Sequence, residues 1–509
     1  MDLRLVKHEY SLFETAIDTR LWTEQTADAV VPDSMPDILR IVDTSALVEV
    51  NEKELRGNKV IVAGEIKANV VFVPESGGGV RVIPVTLPFR ETLDWGDAGN
   101  LAASAVAFVR VCSKRVDARE LNPRKIAVKA TVGFTLTVLV PKTLSLPAGL
   151  EGDVECETLS LPFASRVIVS VRDKAIAISD TVDADDELAA DRVIKTELDV
   201  AVNDYKVIPN KVVVKAVAKL KLTGMTDDPV RPVKLREYEL PFSAVIDCDG
   251  VNEDADCDLR FALTSCRWSI TDSGERRGIS VAIGLDAQVM AYITVQGEIL
   301  ADAYSITHDV ALERETVDIP RENEAKSVRA QVREVIDPGM APTKIYAVTV
   351  NPSQPVKMRD GSNAVGCDCE VRVVFETDDG GIYAVTRNLT ASAELPASDE
   401  GYNFTAAEVS DADGHIDMAG GIEVRFTAVM SGELHADESR EVLSGVTALD
   451  KKAATPNRPS ITLRYAMPGE SFWAIAKAYN TTVDDIRRSN GIEHESSPTA
   501  GKILLIPRR

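Results

Sequence analysis

Three stretches of this chain repeat one alternating pattern, and that repeat narrows the possible folds more than any other feature. They are residues 58–72, 210–222 and 364–375. Each alternates apolar and polar residues, the signature of a strand with one face buried, because successive side chains of a strand point to opposite sides. In the second copy Lys211, Lys215, Lys219 and Lys221 form the outward set; Val212, Val214, Ala216, Ala218, Leu220 and Leu222 form the inward set. A second recurring strand begins at Ile126, Ile279 and Ile422, so the starts are 153 and 143 residues apart. Leu87-Pro88-Phe89 returns as Leu240-Pro241-Phe242, and residues 76–79 and 378–381 are Gly- or Asp-rich hairpin loops.

Units of this length with several alternating strands point to antiparallel sheets packed as a sandwich. The expected fold class is therefore mainly β, with three tandem β-sandwich-like units over residues 1–148, 149–306 and 307–446. A short helix is expected ahead of the first marker strand: residues 35–42, with Pro36 at an early helical position, and residues 324–334 in the third unit. A linker at 447–459, carrying two prolines, leads to a small α+β module at 460–509 and should let it move relative to the body.

That module reads strand–helix–helix–strand. Met467-Pro468-Gly469 turns the chain after a first strand, and Ser471 stands where a helix N-cap belongs. Phe472, Ile475, Ala476 and Tyr479 form one apolar helical stripe. Thr482-Val483-Asp484-Asp485 opens a second helix as a capping box does, and Asn490-Gly491 stops it. Residues 501–507 form the closing strand. Phe472, Ile475, Ala476 and Ile486 are core residues, because so small a module must bury nearly all its apolar side chains. Trp473 faces a different side from Phe472, and two readings stay open for it: core wall or exposed anchor.

Acidic residues outnumber basic ones by 80 to 57, giving a net charge of −23 over 509 residues. The module from Ile461 holds seven Lys/Arg against five Asp/Glu, so the rest is near −25. Such a body repels nucleic acid and anionic membrane surfaces, and basic faces on partners are favoured. The first residues show no secretory signal pattern, and no apolar run is long enough to span a bilayer. Seven cysteines at irregular spacing do not read as a disulfide framework. A cytosolic protein without membrane insertion is expected.

The sequence offers no catalytic constellation. It lacks a phosphate-binding Gly-x-x-x-x-Gly-Lys-Ser/Thr loop, and its five histidines are scattered without ligand spacing. Cys367 and Cys369 read as small buried hydrophobes on the inward face of a strand rather than as a metal or redox pair. The Asp-rich loop 247–258 departs from the calcium-loop order and reads as solvated. Neither an enzyme nor a cofactor or metal site is expected.

The C-terminal module resembles a LysM domain through Pro468 to Ala476, Tyr479, Asn490-Gly491-Ile492 and Leu505-Ile506-Pro507. Glu470 stands where that family usually has Asp, and Ala500 where Pro often precedes the glycine. With the β repeats, the Pro36-Asp37-Ile38-Leu39 segment and Asn122-Pro123-Arg124-Lys125-Ile126, the whole chain resembles SipL-like spore-coat assembly proteins, whose repeat is the SPOCS domain. The resemblance implies a non-enzymatic scaffold in an endospore-forming bacterium, cytosolic in the mother cell and recruited to the forespore or spore coat surface. It implies docking through the LysM tail on the coat-basement ATPase, stage IV sporulation protein A, with other coat proteins as further partners. The alternative is binding of peptidoglycan or another N-acetylglucosamine polymer. For either ligand the expected contact residues are Gly469, Glu470, Ser471, Trp473, Asn490, Gly491 and Ile492.

Overall fold

A computed structural model describes the chain except residues 1–2, 78, 95–103, 185–188, 227–232, 273–276, 321–323, 359–362, 397–400, 435–436, 453–460, 493–497, 499 and 508–509. It is almost wholly β. The first unit holds β1 (Leu3–Val30), β2 (Ile38–Arg56), β3 (Lys59–Pro74), β4 (Arg81–Asp94), β5 (Val106–Asn122) and β6 (Lys125–Gly152). The second repeats this plan with β7 (Glu157–Asp183), β8 (Val193–Ile208), β9 (Lys211–Met225), β10 (Val233–Asp247), β11 (Asp256–Asp272) and β12 (Arg277–Tyr304). The third holds β13 (His308–Pro320), β14 (Glu324–Ile336), β15 (Pro342–Pro352), β16 (Val356–Lys357), β17 (Ala364–Thr377), β18 (Ile382–Glu394), β19 (Asn403–Ile416), β20 (Ile422–Leu434) and β21 (Asp437–Lys451).

In each unit the first and last strands pair antiparallel as one long ribbon: β1 with β6, β7 with β12, and β13–β14 with β21–β20. A three-stranded meander lies between them in sequence: β2-β3-β4, β8-β9-β10, and β15-β17-β18. The strand after each meander, β5, β11 or β19, flanks the ribbon. The meander packs across one half of its ribbon and makes a sandwich core. In the first unit Ile66, Phe72 and Leu87 meet Phe134 and Leu136, with the Phe89 and Phe134 rings 5.1 Å apart. In the third, Val371, Val373 and Phe375 meet Val424 and Phe426. The inward set of β9 is buried at all six positions, from Val212 to Leu222.

The other halves of the ribbons converge. Leu12 and Leu144, Phe163, Val167 and Ile299, and Ile319 and Val442 form one cluster drawn from all three units. Pairing of Phe13 with Ile168 joins the first two ribbons into a six-stranded sheet. An ion pair also reaches between units: buried Glu49 on β2 and Lys67 on β3 are paired at 2.5 Å, and together they accept from the Cys266 N–H of β11 at 2.7 Å and donate to its carbonyl at 3.1 Å.

Two helix expectations fail, each for a local reason. After a turn closed by Met35 N–H to the Pro32 carbonyl, the chain enters β2 at Ile38. Register shifts at Ile38/Arg40 and Ile41/Asp43 break its alternation, so Ile38, Ile41 and Val42 mimic helical spacing. The stretch 324–334 has helix-forming residues but lies in β14, paired along β20, where Val328, Ala330 and Val332 keep strand alternation. Sheet pairing overrides local propensity there.

The C-terminal module and its seam with the body

The module holds β22 (Ile461–Tyr465), α1 (Phe472–Tyr479), α2 (Val483–Asn490) and β23 (Ile503–Pro507). Ser471 caps α1, its hydroxyl accepting from Ala474 N–H at 3.1 Å, and Thr482 caps α2 in the same way from Asp485 at 3.0 Å. Asn480 and Gly491 end the helices in the left-handed conformation. Phe472, Ile475, Ala476, Ile486, Leu504 and Ile506 make the core.

The seven expected contact residues divide. Asn490 ties the end of α2 to β23: its amide donates to the carbonyls of Ile486 at 2.7 Å and Leu505 at 2.6 Å, and its side-chain oxygen accepts from Leu505 N–H at 2.8 Å. Glu470 accepts from Arg464 on β22 and from Met467 N–H at 3.0 Å. Arg464 pairs across the ribbon with Leu504, next to Leu505, so the two loops are fastened at neighbouring ribbon positions. Gly469 and Gly491 stand in open space with positive φ, while Ile492 is buried in the module core. Ser471 is occupied as the cap.

Trp473 stands apart from these residues. It lies against the body, its ring edge-on to Tyr304 at 4.9 Å and its indole N–H donating to the Asp302 carboxylate at 2.8 Å. Lys477, one turn along α1, donates to both oxygens of Asp302 at 2.7 and 2.8 Å. Arg314 approaches the same carboxylate at 3.0 Å. Burial alone would raise the Asp302 pKa; the hydrogen bonds from Lys477 and Trp473 outweigh it and hold the carboxyl below the usual carboxylate range. The Tyr304 hydroxyl donates to the Thr481 carbonyl at 2.7 Å, and burial pushes that phenol well up. Lys452 bridges the Ser305 carbonyl at 2.7 Å and the Asn480 side chain. The module is thus seated on the end of β12 rather than hanging free. Residues 447–451 of the expected linker are strand, and 453–460 lie outside the described residues.

One feature escaped the sequence reading. The outer face of the β22–β23 ribbon is apolar and open to solvent. Ile461, Leu463, Tyr465 and Met467 are 59, 67, 64 and 58 % exposed, and Ile503 and Leu505 adjoin them at 50 and 39 %. Leu463 pairs with Leu505 and Tyr465 with Ile503, so the patch is continuous across both strands. The signal was present as Ile461, Leu463 and Tyr465 alternating with polar residues in the first strand and apolar residues on both faces of the last.

Other candidates are internally satisfied. In the Asp-rich loop Asp249 pairs with Arg172, and Asp256 holds Arg166 and the Tyr205 hydroxyl. Cys367 and Cys369 are buried with sulfurs 3.8 Å apart. Burial pushes the Cys248 thiol up to about 11 and Cys257 up to about 12, so both stay protonated and weakly reactive at neutral pH. No helix among the described residues is long and apolar enough to cross a membrane.

Comparison with known families agrees with this architecture. The SipL, SPOCS domain family model matches residues 37–117 and 189–271, which run from β2 into β5 and through β8 to β11. The LysM domain model matches residues 468–507. No curated protein and no solved structure matches the chain. The chain is thus similar to SipL-like proteins with a LysM tail, mainly β with a small C-terminal α+β module. Both families are non-catalytic, and the SipL family implies a sporulation context.

Proposed function

We propose that the protein is a non-enzymatic scaffold for spore coat or envelope assembly. It docks through its LysM tail on the coat-basement ATPase, stage IV sporulation protein A, at the forespore surface. The observation that carries this reading is the uncovered apolar ribbon face around Leu463 and Tyr465. Contiguous apolar patches rimmed by polar residues mark interaction sites, and Leu and Ile side chains each contribute about 1.5–3 kcal/mol when fully buried. The loops at Gly469–Ser471 and Asn490–Ile492 border this face, whereas Trp473 is engaged with the body. A partner with a basic surface beside its apolar docking site suits a scaffold whose body carries a net charge near −25.

Binding of the purified ATPase to the immobilised full chain tests the reading. Leu463→Arg with Tyr465→Arg should weaken binding at least about tenfold, since each change removes an apolar anchor worth about 1 kcal/mol or more. Unchanged affinity in a variant with the wild-type melting profile would sink the docking face.

A second reading is supported by the open space around Gly469 and Gly491. An N-acetylglucosamine polymer could lie across those two loops without touching the apolar face. Sedimentation with insoluble peptidoglycan separates the two: retention that survives the Arg substitutions favours the glycan.

A further inference from the structure

A half-exposed tryptophan stands apart on the outer face of the first ribbon. Trp22 on β1 is 52 % exposed and pairs across the ribbon with Gly133 on β6. Its benzo ring lies where a side chain of that glycine would project: a methyl there would stand 2.7 Å from Cζ3 and 2.8 Å from Cη2. The neighbours on this face are polar. Arg115 and Asp117 on β5, with Lys129 and Thr131 on β6 and the indole itself, line an open hollow of about 460 Å³. Their charges are already matched: Arg115 meets Asp117 at 3.0 Å and Glu370 of β17 at 2.9 Å, and Lys129 meets Glu24 at 2.9 Å.

The fold itself does not call for this pair. Counting from the marker strands, the place of Trp22 and Gly133 is taken by Ala175 and Asp286 in the second unit and by Arg329 and Val429 in the third. Seating the ring on a glycine fixes its orientation and leaves about half of it in water, so a ligand has little ordering left to impose. Nucleic-acid bases also stack on exposed aromatics, but such sites run along basic grooves. Here Arg115 and Lys129 stand against Asp117, Glu24 and Glu370, on a body already near −25. Protein docking faces are contiguous apolar patches, whereas the four side chains that share this hollow with the indole are all polar. A pyranose ring fits both halves. Its C–H face covers the indole, and its hydroxyls, donors and acceptors at once, bond to carboxylate, ammonium, guanidinium and the Thr131 hydroxyl.

We propose that Trp22, oriented by its seat on Gly133, is a sugar-binding platform that takes one pyranose ring of a glycan, with Arg115, Asp117, Lys129 and Thr131 bonding the ring hydroxyls. The site lies wholly on the first β unit and does not depend on the loops or the apolar ribbon of the C-terminal module.

Isothermal titration of the full chain with cellohexaose, and separately with chitohexaose, tests the platform and separates plain from N-acetylated rings. Saturable binding of at least one oligosaccharide is expected. Trp22→Ala should raise that Kd at least about tenfold, as loss of an aromatic anchor requires. Gly133→Ala keeps the indole but places a methyl against it, so it should weaken binding at least about threefold; it serves as the readout if Trp22→Ala does not fold. The proposal is overturned if neither oligosaccharide saturates below about 10 mM. It is equally overturned if either variant, folded, binds as the wild type does, which would put the sugar on the module loops instead.

Discussion

Asp302→Ala should release the C-terminal module from the body without unfolding either. The carboxylate accepts from Trp473 at 2.8 Å, from Lys477 at 2.7 Å and from Arg314 at 3.0 Å, and its side chain is only 15 % exposed. Hydrogen bonds to a charged group are worth about 1.5–3 kcal/mol each. Arg314 on β13 belongs to the body and does not tie the seam, and Lys477 is 38 % exposed and regains water when the carboxylate is removed, so most of its share is discounted. The indole N–H is less able to do so. The seam should lose about 2–3 kcal/mol, a shift of about 30- to 150-fold in its closed-to-open ratio. Trypsin reads this ratio directly. The Lys452 ammonium donates to the Ser305 carbonyl of the body and to the Asn480 side chain of the module, so its side chain is held across the closed seam and is freed for cleavage when the seam opens. When opening and closing outpace cleavage, the rate follows the open population. Cleavage after Lys452, followed by mass spectrometry, should accelerate by that factor while the melting profile of the body stays unchanged. Rates within twofold of the wild type would refute the assignment of Asp302 as the main tie.

The same carboxylate sets a pH dependence. Its folded pKa lies below its unfolded value, so its contribution is complete above about pH 4 and is lost as pH falls through the depressed folded pKa. Small-angle scattering of wild type and Asp302→Asn should therefore differ at neutral pH and converge only under acid conditions. Asn490→Ala removes two hydrogen bonds between α2 and β23 and a third within α2, and should destabilise the module by about 2–3 kcal/mol, seen as an earlier first melting transition with the body transition unmoved. Gly64→Ala places a methyl 1.9 Å from the Glu49 carbonyl oxygen at a register shift of β2, a backbone clash that should cost about 1–3 kcal/mol or more in the first unit. A calorimetric scan that leaves the body transition within about 1 °C would contradict it.

The period-two pattern carried most of the fold. At β9 the inward and outward sets follow the pleat at every position, because that strand is central in its meander and one face meets the core. Reading fails where the pleat is interrupted. The β2 bulges insert single residues that turn a strand period into a helix-like one, and no single-residue propensity reveals a bulge. β14 fails differently: its Ala, Lys, Gln and Glu residues favour a helix, and only the partner strand β20, almost a hundred residues away, decides otherwise. The module was legible to its caps because capping is local: Ser471 and Thr482 act within three residues of themselves. Its ligand face was less legible. A tryptophan in a small module has two possible apolar neighbours, its own core and another domain, and Asp302 and Tyr304 lie some 170 residues upstream. The apolar outer ribbon was written in the sequence, but the alternation of Ile461, Leu463 and Tyr465 with Thr462 and Arg464 equally describes a strand with its apolar side turned inward, and the distinction needs the third dimension.

The seam gives the apolar ribbon a property that a flexible tether would not. A module on a free linker loses orientational freedom when it docks, and that loss is subtracted from the affinity. Here the orienting contacts already exist within one chain, through Asp302, Tyr304 and Lys452. Trp473 and Lys477 lie on α1, and the exposed residues Ile461, Leu463 and Tyr465 lie on the outer face of β22, with the module core between them. The face turned to the body and the face turned to solvent are therefore made of different residues on different elements of one small domain. The body can hold the first without covering the second. Releasing the seam with Asp302→Ala should then leave the ribbon chemistry intact and weaken partner binding only by the lost preorganisation. Leu463→Arg should remove contact energy with the seam still closed. A double variant in which the two effects add identifies independent faces, and strong non-additivity would mean that the partner also touches the seam.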